Sequence, residues 1–315
     1  MTGYFTHRDC HLHEMGPGHP ECPERLAAIE DRLLASGLGD ALERREAPLA
    51  LLSALELAHD SEHVALLDAT HARLQDAAEK GERGYVQLDP DTALNASSWN
   101  AARRSAGAVL AATDAVMAGE MPNAFCAVRP PGHHATYERS MGFCITNQVA
   151  VGVRHALERH GLERVAVVDF DVHHGNGTED ILANDERVLM VGIFQHPFYP
   201  HSGANSRASN MLNLPVPAYS KGPVVREMIE SHWLPRLEAF KPQMIFISAG
   251  FDAHKDDDLG QLGLVEADYT WMTQQIMAVA KRHAQGRIVS SLEGGYNLYA
   301  LGRSVEAHLR ALASL

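Results

Sequence analysis

Five short, nearly uninterrupted apolar runs punctuate the last two thirds of the chain. They are AFCAV (124–128), RVAVVDF (164–170), RVLMVGIF (187–194), QMIFISA (243–249) and RIVSS (287–291). Between them apolar residues recur at helical spacing over 98–119, 146–160, 222–239, 265–284 and 298–314. A strand with one wet face alternates polar and apolar residues, whereas one buried on both faces is apolar throughout. Such strands alternating with helices predict an α/β fold built on a parallel sheet. The N-terminal third reads as more helical. There PERLAAIEDRLLASG closes on a glycine stop, and SEHVALLDATHARLQDAAE opens on a serine cap. Residues 8–22, 195–221 and 251–264 show no periodicity, and long loops in a compact domain are usually functional. No linker, internal repeat or low-complexity tract divides the chain, so residues 1–315 read as one domain.

In open parallel sheets ligands collect at the carboxyl ends of the strands. Here the strand exits carry the reactive groups. AFCAV runs into RPPGHHA, VAVVDF into DVHHGNG, MIFISA into GFDAHKDDD, and RIVSS into LEGGYNL. Four such exits, far apart in sequence, predict one shared rim.

Composition narrows the partners. The net charge of -13 opposes a role on duplex nucleic acid, while a cationic substrate would be tolerated. Mean hydropathy is -0.19, and no apolar run approaches the ~18 residues of a membrane span. MTGYFTHRDC lacks a signal-peptide core, which makes a cytoplasmic enzyme the expectation. The four cysteines, Cys10, Cys22, Cys126 and Cys144, form no C-x-x-C pair. They read as free thiols and not as a thiolate zinc cluster.

Histidine supplies the chemistry instead. Asp171 and His173 are two apart, so in an extended exit both side chains can reach one ion. Asp252, from another exit, supplies a third ligand. A catalytic zinc takes three protein ligands and keeps an open position, and so oxygen-rich a set also suits ferrous iron or cobalt. His133 and His134 can act on protons at neutral pH, with Asp169 and Asn176 available to fix their tautomers. After Gly294 and Gly295, Tyr296 can present a hydroxyl to a developing oxyanion. Together these describe hydrolysis of a carbonyl derivative.

RPPGHHA, MGFC, DFDVHHGNGTED, SAGFDAH and LEGGYNL, in this order, resemble the zinc-dependent histone deacetylase family. The likeness is to its class II and bacterial amidohydrolase branch, which includes acetylpolyamine amidohydrolases. GHPECPERL resembles that branch's first loop and helix. The resemblance implies an arginase/deacetylase fold, a central parallel eight-stranded sheet flanked by helices. It implies one zinc on Asp171, His173 and Asp252, with His134 as general base and then acid. His133, backed by Asp169, would be mainly electrostatic, and Tyr296 would polarise the acetyl carbonyl. Asn176 matches the class II pattern. Gly142, Phe143 and Tyr199 would line the tunnel, and Leu259 would stand at its mouth as in lysine deacetylases. A structural potassium would bind the backbone of Asp169, Asp171 and His173. Gly192 and Phe194 depart from the family's usual serine and histidine, and Lys255 with three following acids departs from its usual Arg-Gly-Asp-Pro.

The expected partner is an acetylated lysine peptide or protein, with acetylpolyamine or another small acylated amine as the alternative. A two-manganese ureohydrolase would need further bridging carboxylates, and position 175 is Gly. A binding module without chemistry would not need the base, ligands and tyrosine together. The longer loops leave room for a dimer or tetramer. Asp91 in LDPDT falls near the rim, with no role assigned.

Overall fold

The computed structural model describes residues 1–315. Its strands are β1 (Thr2–Thr6), β2 (Leu42–Glu46), β3 (Val86–Asp89), β4 (Thr92–Leu94), β5 (Asn123–Cys126), β6 (Val165–Asp169), β7 (Val188–Gln195), β8 (Met211–Val216), β9 (Met244–Ala249) and β10 (Ile288–Leu292). Its helices are α1 (Glu24–Ser36), α2 (Leu52–Leu55), α3 (Ser61–Glu79), α4 (Ser98–Met117), α5 (Gln148–Glu158), α6 (Asn176–Leu182), α7 (Gly222–Met228), α8 (Leu234–Phe240), α9 (Glu266–His283) and α10 (Leu298–Leu312).

All strands but the β3–β4 hairpin join one eight-stranded sheet in the order β2-β1-β5-β10-β9-β6-β7-β8. Every neighbour in it is parallel. The middle strands β5, β10, β9 and β6 are buried along their whole length. Helices cover both faces: α4 and α5 pack together against the sheet, as do α1, α9 and α10. The five apolar runs are β5, β6, β7, β9 and β10, within two residues at each end.

The edges differ from the sequence reading. The N-terminal third contributes β1 and β2, and the 195–221 loop contains β8. The edge strands β2 and β8 bury less, so their pattern is broken. β1 is flanked by β2 and β5 and buried, but it is too short and threonine-rich to read as an apolar run. β2 reads LERRE, and its outer charges pair as Arg44 with Glu30 and Arg45 with Glu43. Such charges also discourage pairing with another chain. β8 carries Pro215, which sheets accept at their edges. The helix over 222–239 is interrupted by a widened π turn at Ile229–Trp233. Pro235 cannot donate to the carbonyl four residues back, and its ring crowds it. The cap of α3 is Asp60 and not Ser61: its carboxylate accepts from the N–H groups of Glu62 and His63. Gly37 does close α1, at φ 68.

Candidate active site

Strands β5, β10, β9 and β6 are consecutive in the sheet and end on the same side. With neighbours about 4.8 Å apart, their exits lie within roughly 15 Å. This topology brings together RPPGHHA, LEGGYNL, SAGFDAH and DVHHGNG.

Asp171, His173 and Asp252 each bring a ligand atom to within 4.8 Å of the others. His173 Nδ1 lies 3.0 Å from Asp171 Oδ1 and 3.2 Å from Asp252 Oδ2. Both carboxylates are fully buried, and so dry an anion needs positive charge or dense hydrogen bonding. Asp171 accepts the N–H of His173 at 2.9 Å and that of Gly294 at 2.8 Å. Asp252 Oδ1 accepts the N–H of Val172 at 2.9 Å, but its Oδ2 accepts no hydrogen bond. His173 Nδ1 can carry at most one hydrogen, so it cannot satisfy Asp171 and Asp252 together. A Cβ at position 294 would fall 2.0 Å from Asp252 Oδ2, so only glycine lets the chain cross the two carboxylates.

The electrostatics agree. Burial, reinforced by neighbouring Asp171, pushes the Asp252 carboxyl up to about 7. Burial alone would depress His173, yet Asp171 and Asp252 lift it to about 9. A pocket that stabilises added positive charge this strongly, with an unpartnered oxygen in it, fits a divalent cation. Two carboxylates and an imidazole are zinc-type donors.

Above this pocket stand two imidazoles in different company. Their ring centroids are 4.0 Å apart. His133 Nδ1 is 3.0 Å from Asp169 Oδ2, whereas His134 Nδ1 is 2.7 Å from Asn176 Oδ1. Burial opposes charge on both. For His133 the Asp171 and Asp169 carboxylates outweigh it and raise the imidazolium well above the ordinary histidine range. For His134 burial is reinforced by its histidine neighbours, and the ring is held well below that range. An amide facing Nδ1 only orients His134, leaving Nε2 free to accept a proton.

Burial raises the Tyr296 phenol well above 10, against the pull of Arg25, so it is a neutral donor. The Arg25 guanidinium lies 4.9 Å from the centre of its ring, and Phe143 meets it edge-on at 5.8 Å. The Gly142–Phe143 turn is left-handed at both residues, with φ 58 and 66. That conformation strains a phenylalanine. A Cβ on Gly142 would strike His134 at 2.5 Å. Asp91 Oδ1 accepts the Gly142 N–H at 3.0 Å, and Thr92 Oγ1 accepts that of Phe143 at 2.9 Å. Asp91, unassigned from sequence, therefore pins this turn. Tyr199 stands edge-on to His134 at 5.2 Å, while its neighbour Phe198 stacks on His173 at 5.4 Å. Phe198 was missed, although it directly precedes the tunnel candidate Tyr199.

The HKDDD segment divides by function. Asp257 turns inward and accepts the N–H groups of Tyr296 at 2.6 Å, Asn297 at 2.9 Å and Leu259 at 2.9 Å. Asp256 and Asp258 stay outside. Leu259 is thus fixed half-buried by the same carboxylate that holds Tyr296. Sequence reasoning also missed the buried acids beneath the rim. Glu293 accepts the N–H groups of Gly132 at 2.6 Å and His133 at 3.1 Å. Glu21 takes Arg25 at 2.9 Å and Arg129 at 2.5 Å. Arg25 in turn binds the carbonyls of Glu293 and Gly295, which shape the turn before Tyr296. The one available signal was the Glu-x-x-x-Arg spacing in GHPECPERL.

A parallel eight-stranded sheet flanked by helices, with this chemistry at its strand exits, is the arginase/deacetylase fold of hydrolytic deacetylases. The histone deacetylase domain model matches residues 19–312. A histone deacetylase-like amidohydrolase of Pseudomonas aeruginosa is 36% identical over 320 residues, covering 94% of this chain and 82% of its own. A probable deacetylase of Archaeoglobus fulgidus is 34% identical, covering 95% and 82%. The crystal structure of the HDA15 HD domain superposes with a TM-score of 0.91 at 33% identity, covering 99% of this chain and 88% of that one. The chain belongs to the histone deacetylase family. It is accordingly a hydrolytic deacetylase.

Proposed function

We propose that this enzyme is a zinc-dependent deacetylase that hydrolyses the side-chain amide of N-acetylated lysine, releasing acetate and the free amine. The observation that carries the reading is the buried, unpartnered Asp252 oxygen beside Asp171 and His173, beneath imidazoles tuned in opposite directions. Asp171, His173 and Asp252 would hold the ion. Zinc there would supply Lewis acidity toward the amide carbonyl and lower the pKa of a water molecule.

The protein's own groups carry the remaining work. His134, neutral and oriented by Asn176, takes the proton from the attacking water through Nε2. It then delivers that proton to the departing amine as the C–N bond breaks. His133, cationic against Asp169, stabilises the negative charge that develops beside it. Tyr296 donates its hydroxyl hydrogen to the carbonyl oxygen as it becomes an oxyanion. Gly142, Phe143 and Tyr199 wall the alkyl arm and exclude water, and Leu259 stands at the mouth. The backbone of Asp169, Asp171 and His173 would hold a structural potassium, to which Gly192, in register with Asp169, offers no side chain. No helix is long and apolar enough to cross a membrane, and we place the enzyme in the cytoplasm.

One observation favours a second substrate class. Asp258 is exposed on the Leu259 loop and would attract a distal ammonium, as in an acetylpolyamine, whereas its neighbour Asp256 already pairs with Lys255 and Arg303. A panel of acetyl-lysine peptides, acetylputrescine and acetylspermidine on metal-analysed protein separates the two. Turnover of the peptides, abolished by chelation and blocked by a hydroxamate, is expected. Full activity without metal would overturn the mechanism, and polyamine-only turnover would overturn the substrate.

A further inference from the structure

Helices α4 and α5 lie side by side. Their C-terminal ends meet near the start of β6, at the N-terminal end of the strands, opposite the catalytic rim. Asp114 projects there from the last turns of α4. His155, in the last turn of α5, and His160, just beyond its end, both turn toward it. Each places Nε2 2.7 Å from the same atom, Asp114 Oδ1. The two rings stand edge to face with centroids 5.2 Å apart. The left-handed Gly161, at φ 66, turns the chain immediately after His160.

We propose that Asp114, His155 and His160 form a second metal site, taking zinc or another divalent transition ion of similar softness. Two imidazole nitrogens and a carboxylate oxygen are the donors such ions select. All three ligand atoms lie within 4.8 Å of one another. Around a tetrahedral ion with bonds of about 2.1 Å, donors stand roughly 3.4 Å apart. Opening the present 2.7 Å contacts to that spacing needs only small side-chain rotations. The imidazoles are mostly covered, at 15% and 24% exposure, and so are held in place before an ion arrives. Asp114, at 57% exposure, leaves an open path and room for water in the remaining positions. The ion would tie α4 to the end of α5 and to the turn that feeds β6. Its role is that of a staple, and it shares no residue with the catalytic pocket.

Equilibrium dialysis against Zn2+ with elemental analysis tests this. Asp114→Ala and His160→Ala should each bind one equivalent less than the unmodified protein, whatever the occupancy of the Asp171 pocket. Added Zn2+ should raise the unfolding temperature of the unmodified protein more than that of either variant. Equal stoichiometry in all three proteins would overturn the proposal and leave a carboxylate bridging two rings. A Zn2+ titration of the unmodified protein followed by imidazole NMR gives a reading free of mutational effects. Two further ring systems, beyond those of the catalytic pocket, should shift together. Their failure to move would equally overturn it.

Discussion

Two clusters of buried charge lie within one rim, and they are built on opposite rules. Beneath it, Glu21 is closed in by Arg25 and Arg129, and the arginines spend their remaining donors on backbone carbonyls of Cys10, His13, Glu293 and Gly295. Glu21 is accordingly held well below the usual carboxylate range: Arg129, His13 and Arg25 overcome its burial. Above it, Asp171 and Asp252 face each other with one imidazole between them, and one oxygen has no partner. A buried ion pair that satisfies itself holds a shape. A buried pair of like charges that does not is poised to take a ligand, and the chain bears its cost until one arrives.

The most damaging change to the open cluster is Asp252→Asn. Turnover should fall by more than the ~10²–10³-fold typical of losing one oxyanion donor. In chelator at pH 8 the same variant should unfold at a higher temperature than the unmodified protein. The reason is that folding raises the Asp252 carboxyl from its ordinary value to about 7, so stability is lost as pH rises between those two values and the full penalty is present at pH 8. Greater instability of the variant under those conditions would show that Asp252 is already satisfied without a cation.

Glu21→Gln tests the closed cluster and should do the reverse. Two arginines lose their buried counter-charge, and breaking such a pair costs about 3 kcal/mol or more. Urea unfolding should show that loss with or without metal, and the chelator should not rescue it. An unchanged midpoint would reduce Glu21 to a bystander. Tyr296→Phe is gentler on the fold. It removes a hydrogen bond made only as the oxyanion forms, so kcat should fall about 10²-fold with little change in KM. Unfolding temperature should barely move, because the Tyr296 backbone remains held by Asp257. A raised KM with kcat unchanged would instead place the hydroxyl in ground-state binding.

The contrast also explains what could be read from sequence. Five of the six inner strands are legible because burial on both faces makes them apolar nearly throughout. The sixth, β1, is buried too, but its TGYFT carries two threonines and a glycine and does not read as an apolar run. β2 and β8 bury less, so LERRE and MLNLPV lose that signature. The open cluster stands out in sequence for the same reason that it is costly: Asp171, His173 and Asp252 interrupt apolar context at strand exits. The closed cluster does not stand out. Glu21 and Arg129 are 108 residues apart, and a paired charge looks like any surface charge until the chain is folded. Asp257 was hidden likewise, since nothing in HKDDD marks the middle acid as the one turned inward.

A third kind of buried polar group sharpens the comparison: one that carries no charge. His308 is fully buried, with Nδ1 2.6 Å from Thr273 Oγ1 and Nε2 2.9 Å from Ser290 Oγ. Phe125, Phe170 and Phe251 surround it edge-on. Two hydroxyls satisfy a neutral ring but cannot neutralise a cation, and burial lowers its pKa from 6.5 to about 3. Above pH ~6.5 the ring is neutral whether folded or unfolded, and its contribution to stability is fully present. As pH falls below that value only the unfolded ring binds a proton, so stability drops by up to ~1.4 kcal/mol per pH unit. The loss ends near 3, where the folded ring is protonated as well. His59, lowered to about 4 by burial and His63, should add a second contribution of the same sign. In metal-free protein, urea midpoints between pH 6.5 and 5 should therefore decline, and His308→Gln should flatten that decline without removing it. A slope identical in the variant would mean that His308 already carries its proton in the folded core.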